Sequence, residues 1–405
     1  MRWVAFSSIF AAIAGYLVIL LATQTLGASR FEAFSVFWGL FFAILGTLQG
    51  IMHETTRAVR AAQGRAQQNR PEPGRPEGAR PLRLAALAGI GAGALTAASG
   101  PLWGPRILPE DHLALGVGLL ACATALAAAQ SALGGLLSGA GRWAAFGRLL
   151  SLEALLRLVV AGVAVVSADP ITGFMFATVA GLLATPAVLL GPAGRAVRGL
   201  RADVPTGPFL RRCGQAMLAA GATSLLVVGF PVLVKGALGG VDPVVISNLL
   251  LAVTLTRAPV LTPLTSFQNA IVVYFVDRLA AGRRALWAPL SGLAALSAVG
   301  AVLAWSVGPP IIALMGPDFG VGGGVLAALT LAAGATGALF VTGSAVLARE
   351  RHAVYAAGWW TASLAAVALL LLVPGAVVAT VLALAVGPAC GALVHLLWGM
   401  GPARG

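Results

Sequence analysis

Charge is what this 405-residue chain has least of: Asp, Glu, Lys and Arg make up 10% of it, against 59% hydrophobic side chains. An average soluble domain is about 25% charged and 45–50% apolar. So few charges cannot cover the surface of a soluble fold of this length, which excludes an ordinary cytosolic enzyme. Cysteine is scarce as well. Cys122, Cys213 and Cys390 lie in or beside apolar segments, which leaves neither a disulfide framework nor a zinc site. The densest acidic cluster, Glu110-Asp111-His112, stands on a short loop, and no constellation suited to acid–base or nucleophilic catalysis is present. Phosphate loops of the Walker type are missing. His53-Glu54 does not open a metalloprotease motif, because Arg57 stands where the second histidine is required. The chain reads as a non-enzyme with no cofactor and no metal.

What the chain does have is apolar length, with a mean hydropathy of +0.93. At about 20 residues per membrane-spanning helix, the pattern predicts twelve spans. They lie near residues 4–24, 31–57, 84–104, 114–137, 148–168, 171–191, 209–234, 243–279, 286–308, 321–346, 352–373 and 375–398. Met1-Arg2 followed by apolar residues resembles a signal peptide, but no small-residue cleavage site follows, so the first span reads as permanent. The net charge of +13 then becomes an orientation label rather than a nucleic-acid footprint. With the N-terminus inside, 21 basic residues fall on the cytoplasmic side, three (Arg30, Arg106, Lys235) on the other, and Arg157 and Arg257 within spans. That asymmetry is a positive-inside signature with both ends in the cytoplasm. The Arg/Pro-rich stretch at 61–83 is too polar to bury a core, so it is expected to be a disordered cytoplasmic tether. Its alternative role is to meet anionic lipid head groups.

An internal repeat organises the whole. Leu26-Gly27 recurs as Leu238-Gly239 and Gly100-Pro101 as Gly308-Pro309, at offsets of 212 and 208. Arg142-Trp143-Ala144-Ala145-Phe146 recurs as Arg351-His352-Ala353-Val354-Tyr355, at an offset of 209. Three anchors in the same order argue for two six-helix lobes, residues 1–200 and 201–405. An even number of helices gives both lobes one orientation, an architecture found in transporters.

Charged residues inside spans are costly and mark function or a specific pair. Glu153 and Arg157 are four apart with the glutamate first, the order that favours an ion pair along one helix. At the repeat offset their counterparts are Ala362 and Ala366, so the fold itself does not require the pair. Arg257 is 14 residues from Pro243, about 21 Å along a helix axis. Pro259 and Pro263 follow it, and each removes a backbone donor and favours a kink that frees carbonyls. A guanidinium there suits phosphate, unless it pairs with Glu153 or a freed carbonyl. Span two ends with Gln49 and His53 on one face and with Glu54 and Arg57 three apart, either a cytoplasmic gate or a solvated helix end. Gln130, Asn248, Gln268, Asn269 and His395 read as hydrogen-bonding glue between helices.

The run Gly308-Pro309-Pro310-Ile311-Ile312-Ala313-Leu314-Met315-Gly316-Pro317-Asp318-Phe319 and the short basic loop Leu347-Ala348-Arg349-Glu350-Arg351 resemble motifs of one family. This is the multidrug/oligosaccharidyl-lipid/polysaccharide (MOP) exporter superfamily, in its bacterial polysaccharide, or lipid-linked oligosaccharide, flippase branch. The resemblance covers nearly the whole chain. It implies an all-α polytopic protein of the bacterial plasma membrane that moves polyprenyl-phosphate- or diphosphate-linked glycans by alternating access through a cationic cavity between two lobes. Arg257 maps onto that cavity, which is sparsely charged here. The partners implied are membrane lipids, the lipid-linked glycan, and glycosyltransferases or a polymerase of the same pathway, with no nucleic acid. Two alternatives stand beside it: a cation-coupled exporter of small molecules, and a non-transporting scaffold for envelope glycan assembly.

Overall fold

Segments this apolar satisfy their backbone hydrogen bonds within themselves only as helices, and the chain is built accordingly. A computed structural model describes residues 2–67, 77–266 and 268–399, and among the described residues every regular element is helical. Among the described residues nine helices are long and apolar enough to cross a membrane, or ten if the bent pair Thr206–Val227 and Phe230–Ala237 is one span. The first of the nine, α1 (Arg2–Gln67), contains both of the first two expected spans and is broken at Gly27, where φ is 65° and ψ 174°. Only glycine takes that conformation without strain.

The helices form two compact units, residues 1–26 with 36–224, and 27–35 with 225–405. The middle of α1 goes with the second unit, and most of α8 (Thr206–Val227) goes with the first.

In the first unit α1 is followed by α2 (Pro81–Ile107), α3 (Leu113–Gly139) and α4 (Trp143–Ala164). Then come α5 (Pro170–Ala180), α6 (Ala184–Leu190) and the short α7 (Pro192–Val197). Its core sets Phe37, Phe41, Leu45 and Leu48 of α1 with Leu120, Ala123, Ala127 and Ala132 of α3. Small residues bring backbones together, as is usual between membrane helices. A methyl group at Gly89 of α2 would lie 2.7 Å from the Ala125 carbonyl of α3. The stretch expected to be a tether is partly ordered. Residues 61–67 extend α1. Ala79 bonds the backbone of Val204 and Ala202 at 2.8 and 2.9 Å and is buried with Phe209 and Cys213. Residues 68–76 lie outside the described residues.

The second unit continues with α9 (Phe230–Ala237), α10 (Pro243–Ser266) and α11 (Gln268–Val276). It ends with α12 (Trp287–Ala313), α13 (Gly323–Leu347), α14 (His352–Leu372) and α15 (Ala376–Val394). The repeat is visible in backbone detail. Arg142 enters α4 at φ −83°, ψ 56°, and Arg351 enters α14 at φ −88°, ψ 60°. The residue before each is left-handed: Gly141 at φ 70° and Glu350 at φ 59°. The Arg142 N–H bonds Leu137 O and the Arg351 N–H bonds Val346 O, the same turn displaced by 209 residues.

Candidate functional site

Glu153 and Arg157, one turn apart on α4, are 8% and 7% exposed and form the expected ion pair at 2.8 Å. Their surroundings close on them. Gln130 of α3 donates to the second Glu153 oxygen at 2.7 Å, and Thr185 of α6 donates to the Gln130 carbonyl at 2.8 Å. Arg157 Nε donates to Thr178 O of α5 at 3.3 Å. The guanidinium also lies 5.0, 5.7 and 5.8 Å from the ring centroids of Phe42, Trp38 and Phe41 on α1, within cation–π range. Opposite charges at i,i+4 were legible in the sequence. The partners on four other helices were not, apart from Gln130, which reads as hydrogen-bonding glue.

Arg257 of α10 is 5% exposed. The backbone carbonyl that meets it belongs to another helix, not to its own. α10 runs as helix through Pro259 to Ser266, and no released carbonyl of α10 is bonded to Arg257 among the described residues. Instead α8 stops at Val227, and the chain bends by 65° into α9. A helix end leaves its last carbonyls without intrahelical donors, and Pro231, early in α9, has no N–H to return. Arg257 donates both terminal nitrogens to Leu226 O at 3.2 Å and stands 5.8 Å from the Phe230 ring centroid. Its Nε is buried with no hydrogen-bond partner, and no carboxylate reaches it among the described residues. The pair Gly229 and Pro231 is the sequence signal for this break.

The end of span two is brought together as well. Arg57 bonds Glu54 at 2.6 Å and Asp203 at 3.0 Å, Arg65 meets Asp203 at 2.9 Å, and Arg212 approaches Glu54 at 4.0 Å. Burial pushes the Asp203 carboxyl up, but the Arg57 and Arg65 guanidiniums outweigh it and hold it below the usual range. Gln49, one turn earlier, has a buried side-chain oxygen without a partner. Asp203 and Arg65 were not foreseen as part of this cluster. In the second unit, Lys235 pairs with buried Glu32 at 2.9 Å. His395 bonds Thr342 and Tyr355 O, each at 3.1 Å, and Asn248 bonds the Gly320 N–H at 2.8 Å, as glue residues should. The side chains of Gln268 and Asn269 lie outside the described residues. No group of His, Cys, Asp and Glu able to hold a metal ion occurs among the described residues.

No family model matches the chain. It is 38% identical over 401 residues to the uncharacterized protein Rv3630 of Mycobacterium tuberculosis, covering 95% of this chain and 88% of that protein. It is 37% identical over 389 residues to the uncharacterized protein Rv1510 of the same species, covering 94% and 87%. Among solved structures it resembles the inward-facing conformation of a multidrug resistance MATE family transporter of the MOP superfamily. The TM-score is 0.75 at 13% identity, over 95% of this chain and 93% of that one. A MOP superfamily transporter from Pyrococcus furiosus, described by the reverse polarity of its binding pocket, aligns with a TM-score of 0.61 at 15% identity, over 98% and 94%. Likeness at such identity is a likeness of fold.

Proposed function

Because the chain belongs to one family with those mycobacterial proteins and has the MOP transporter fold, we propose that it is a lipid-linked glycan flippase. It carries a polyprenyl-phosphate or polyprenyl-diphosphate glycan across the bacterial plasma membrane by alternating access, with the lipid tail left in the bilayer. The observation that carries this reading is Arg257: a guanidinium within a spanning helix, with no carboxylate near it among the described residues and with Nε unpaired. A cation in hydrocarbon is costly unless something compensates it. Capping the α8 terminus uses two of its donors and leaves the charge uncompensated. A phosphate supplies both the countercharge and planar acceptors. In this reading Glu153 and Arg157 are a wall of the path, and Gln49, Glu54 and Arg57 its cytoplasmic rim. The glycan, the lipids around it, and the glycosyltransferases or polymerase that make and use it are its partners.

The test is translocation of a lipid-linked glycan by reconstituted protein. Arg257→Ala abolishes it and Arg257→Lys retains part of it, while both remain monodisperse. Normal transport by Arg257→Ala removes the proposed role. The MATE-like fold supports a cation-coupled small-molecule exporter equally. That reading needs Glu153 to hold the coupling ion, and it predicts transport that follows an ion gradient and fails in Glu153→Gln. Both Glu153 oxygens are already engaged, by Arg157 and Gln130, which favours the flippase.

A further inference from the structure

The charge balance within the spanning helices narrows the substrate. Two cations lie deep in them, Arg157 and Arg257. Arg157 is neutralised by Glu153 at 2.8 Å, and Lys235, near the end of α9, is neutralised by Glu32 at 2.9 Å. Among the described residues Arg157 and Arg257 are the buried cations, and of these Arg257 is the one without a carboxylate.

A guanidinium has five N–H donors. Two sets of terminal hydrogens point to Leu226 O, and Nε–H, buried within the same unit, points to nothing. The free donors match the two non-bridging oxygens of a single phosphate. A second phosphate would bring a second negative charge into a region of low dielectric where, among the described residues, no further unpaired buried cation stands to meet it. Leaving a buried charge unpaired is the outcome proteins avoid most strongly.

We infer that the substrate reaches Arg257 with one negative charge: its sugar is joined to the lipid through a single phosphate, as a phosphodiester, rather than through a diphosphate. The inference rests on the flippase reading and specifies the linkage that reading leaves open. A phosphodiester keeps one ionised oxygen at neutral pH, and a diphosphate diester keeps two. The same monoanionic phosphodiester also occurs in ordinary phospholipids such as phosphatidylglycerol. The sugar and the polyprenyl chain must therefore be separated from the charge experimentally.

The experiment uses the full chain in liposomes and follows translocation of three labelled probes. These are a short polyprenyl phosphate bearing one sugar, the diphosphate with the same lipid and sugar, and phosphatidylglycerol. The expected result is at least tenfold faster movement of the monophosphate-linked sugar than of the other two. Arg257→Lys should keep this order, and Arg257→Gln should lose at least tenfold of the monophosphate rate while eluting as a monodisperse protein. Equal or faster movement of the diphosphate overturns the single-charge inference and leaves the flippase reading intact. Equal movement of phosphatidylglycerol overturns the glycan as cargo. If well-folded wild-type protein moves none of the three, both readings fall. An unchanged monophosphate rate in Arg257→Gln overturns the assignment of the charge to Arg257.

Discussion

Two helices of the repeat, α4 and α14, begin with the same left-handed turn and carry opposite solutions at the same depth. α4 has Glu153 and Arg157, buried and bonded to each other. α14 has Ala362 and Ala366, both 0% exposed, against which α15 packs so closely that a methyl group at Gly391 would lie 2.9 Å from Ala362 Cβ. The fold closes equally well over alanine and over an ion pair. The pair is therefore a local choice of the first unit, held by side-chain bonds in addition to the close approach of Gly181 to the Glu153 backbone. The second unit places its buried arginine elsewhere, on α10, and among the described residues leaves it without a carboxylate. One buried arginine is finished and the other is not.

The largest effect follows from breaking the finished one. Removing one partner of a buried pair costs about 3–5 kcal/mol, whereas replacing both with apolar residues of similar volume is close to neutral. Thermal unfolding in detergent should therefore show the single changes Arg157→Met and Glu153→Leu each strongly destabilised. The double change Glu153→Leu with Arg157→Met should fall within about 1–2 kcal/mol of wild type, as a double-mutant cycle reads out. A double variant no more stable than either single change would mean that the rings and Thr178, not the charge pair, hold this place together.

Gly181→Ala comes next. Its methyl group would lie 2.8 Å from Glu153 Cγ and 2.9 Å from Glu153 O, so part of α4 must shift, at a cost of about 1–3 kcal/mol. Unchanged stability would show that the network has slack. A smaller effect of opposite sign is expected at the turn entering α14. Glu350 holds a left-handed backbone at φ 59°, where its repeat counterpart is Gly141. Glu350→Gly should stabilise by about 1 kcal/mol, the cost of that conformation for a residue with a Cβ.

The smallest effect belongs to Asp203. Its partner Arg57 is 44% exposed, so solvent screening keeps the pair to about 1 kcal/mol or less. The native carboxyl is held below its ordinary range. The stabilisation is therefore fully present above the unfolded value of about 3.9 and is lost as pH falls through the lower native value. Asp203→Asn should remove that acid-range slope and little else.

Much of this architecture was written in the sequence because membranes impose simple rules. Apolar length marks the helices, and the i,i+4 spacing of Glu153 and Arg157 anticipates their contact. Other features depend on which helices become neighbours, and local patterns carry no record of that. Gln130 reaches Glu153 from 23 residues away in the chain, and Thr185 reaches Gln130 from 55 residues away. The carbonyl that meets Arg257 comes from Leu226, 31 residues earlier, not from the prolines beside it. The pairing of Ala79 with Val204 was hidden for another reason. The Arg/Pro-rich composition around it reads as a tether, yet two backbone hydrogen bonds and a small apolar cluster order its end.

The contrast between the finished and the unfinished arginine is tested most directly by one paired measurement on Arg257→Met: unfolding temperature and translocation rate of the lipid-linked glycan in the same preparation. Removing an uncompensated buried charge should leave the unfolding temperature at or above that of wild type, while translocation falls by at least tenfold. A protein that unfolds several degrees lower yet still transports at the wild-type rate would contradict the account. It would make Arg257 a cap for the end of α8, with no part in holding an anion.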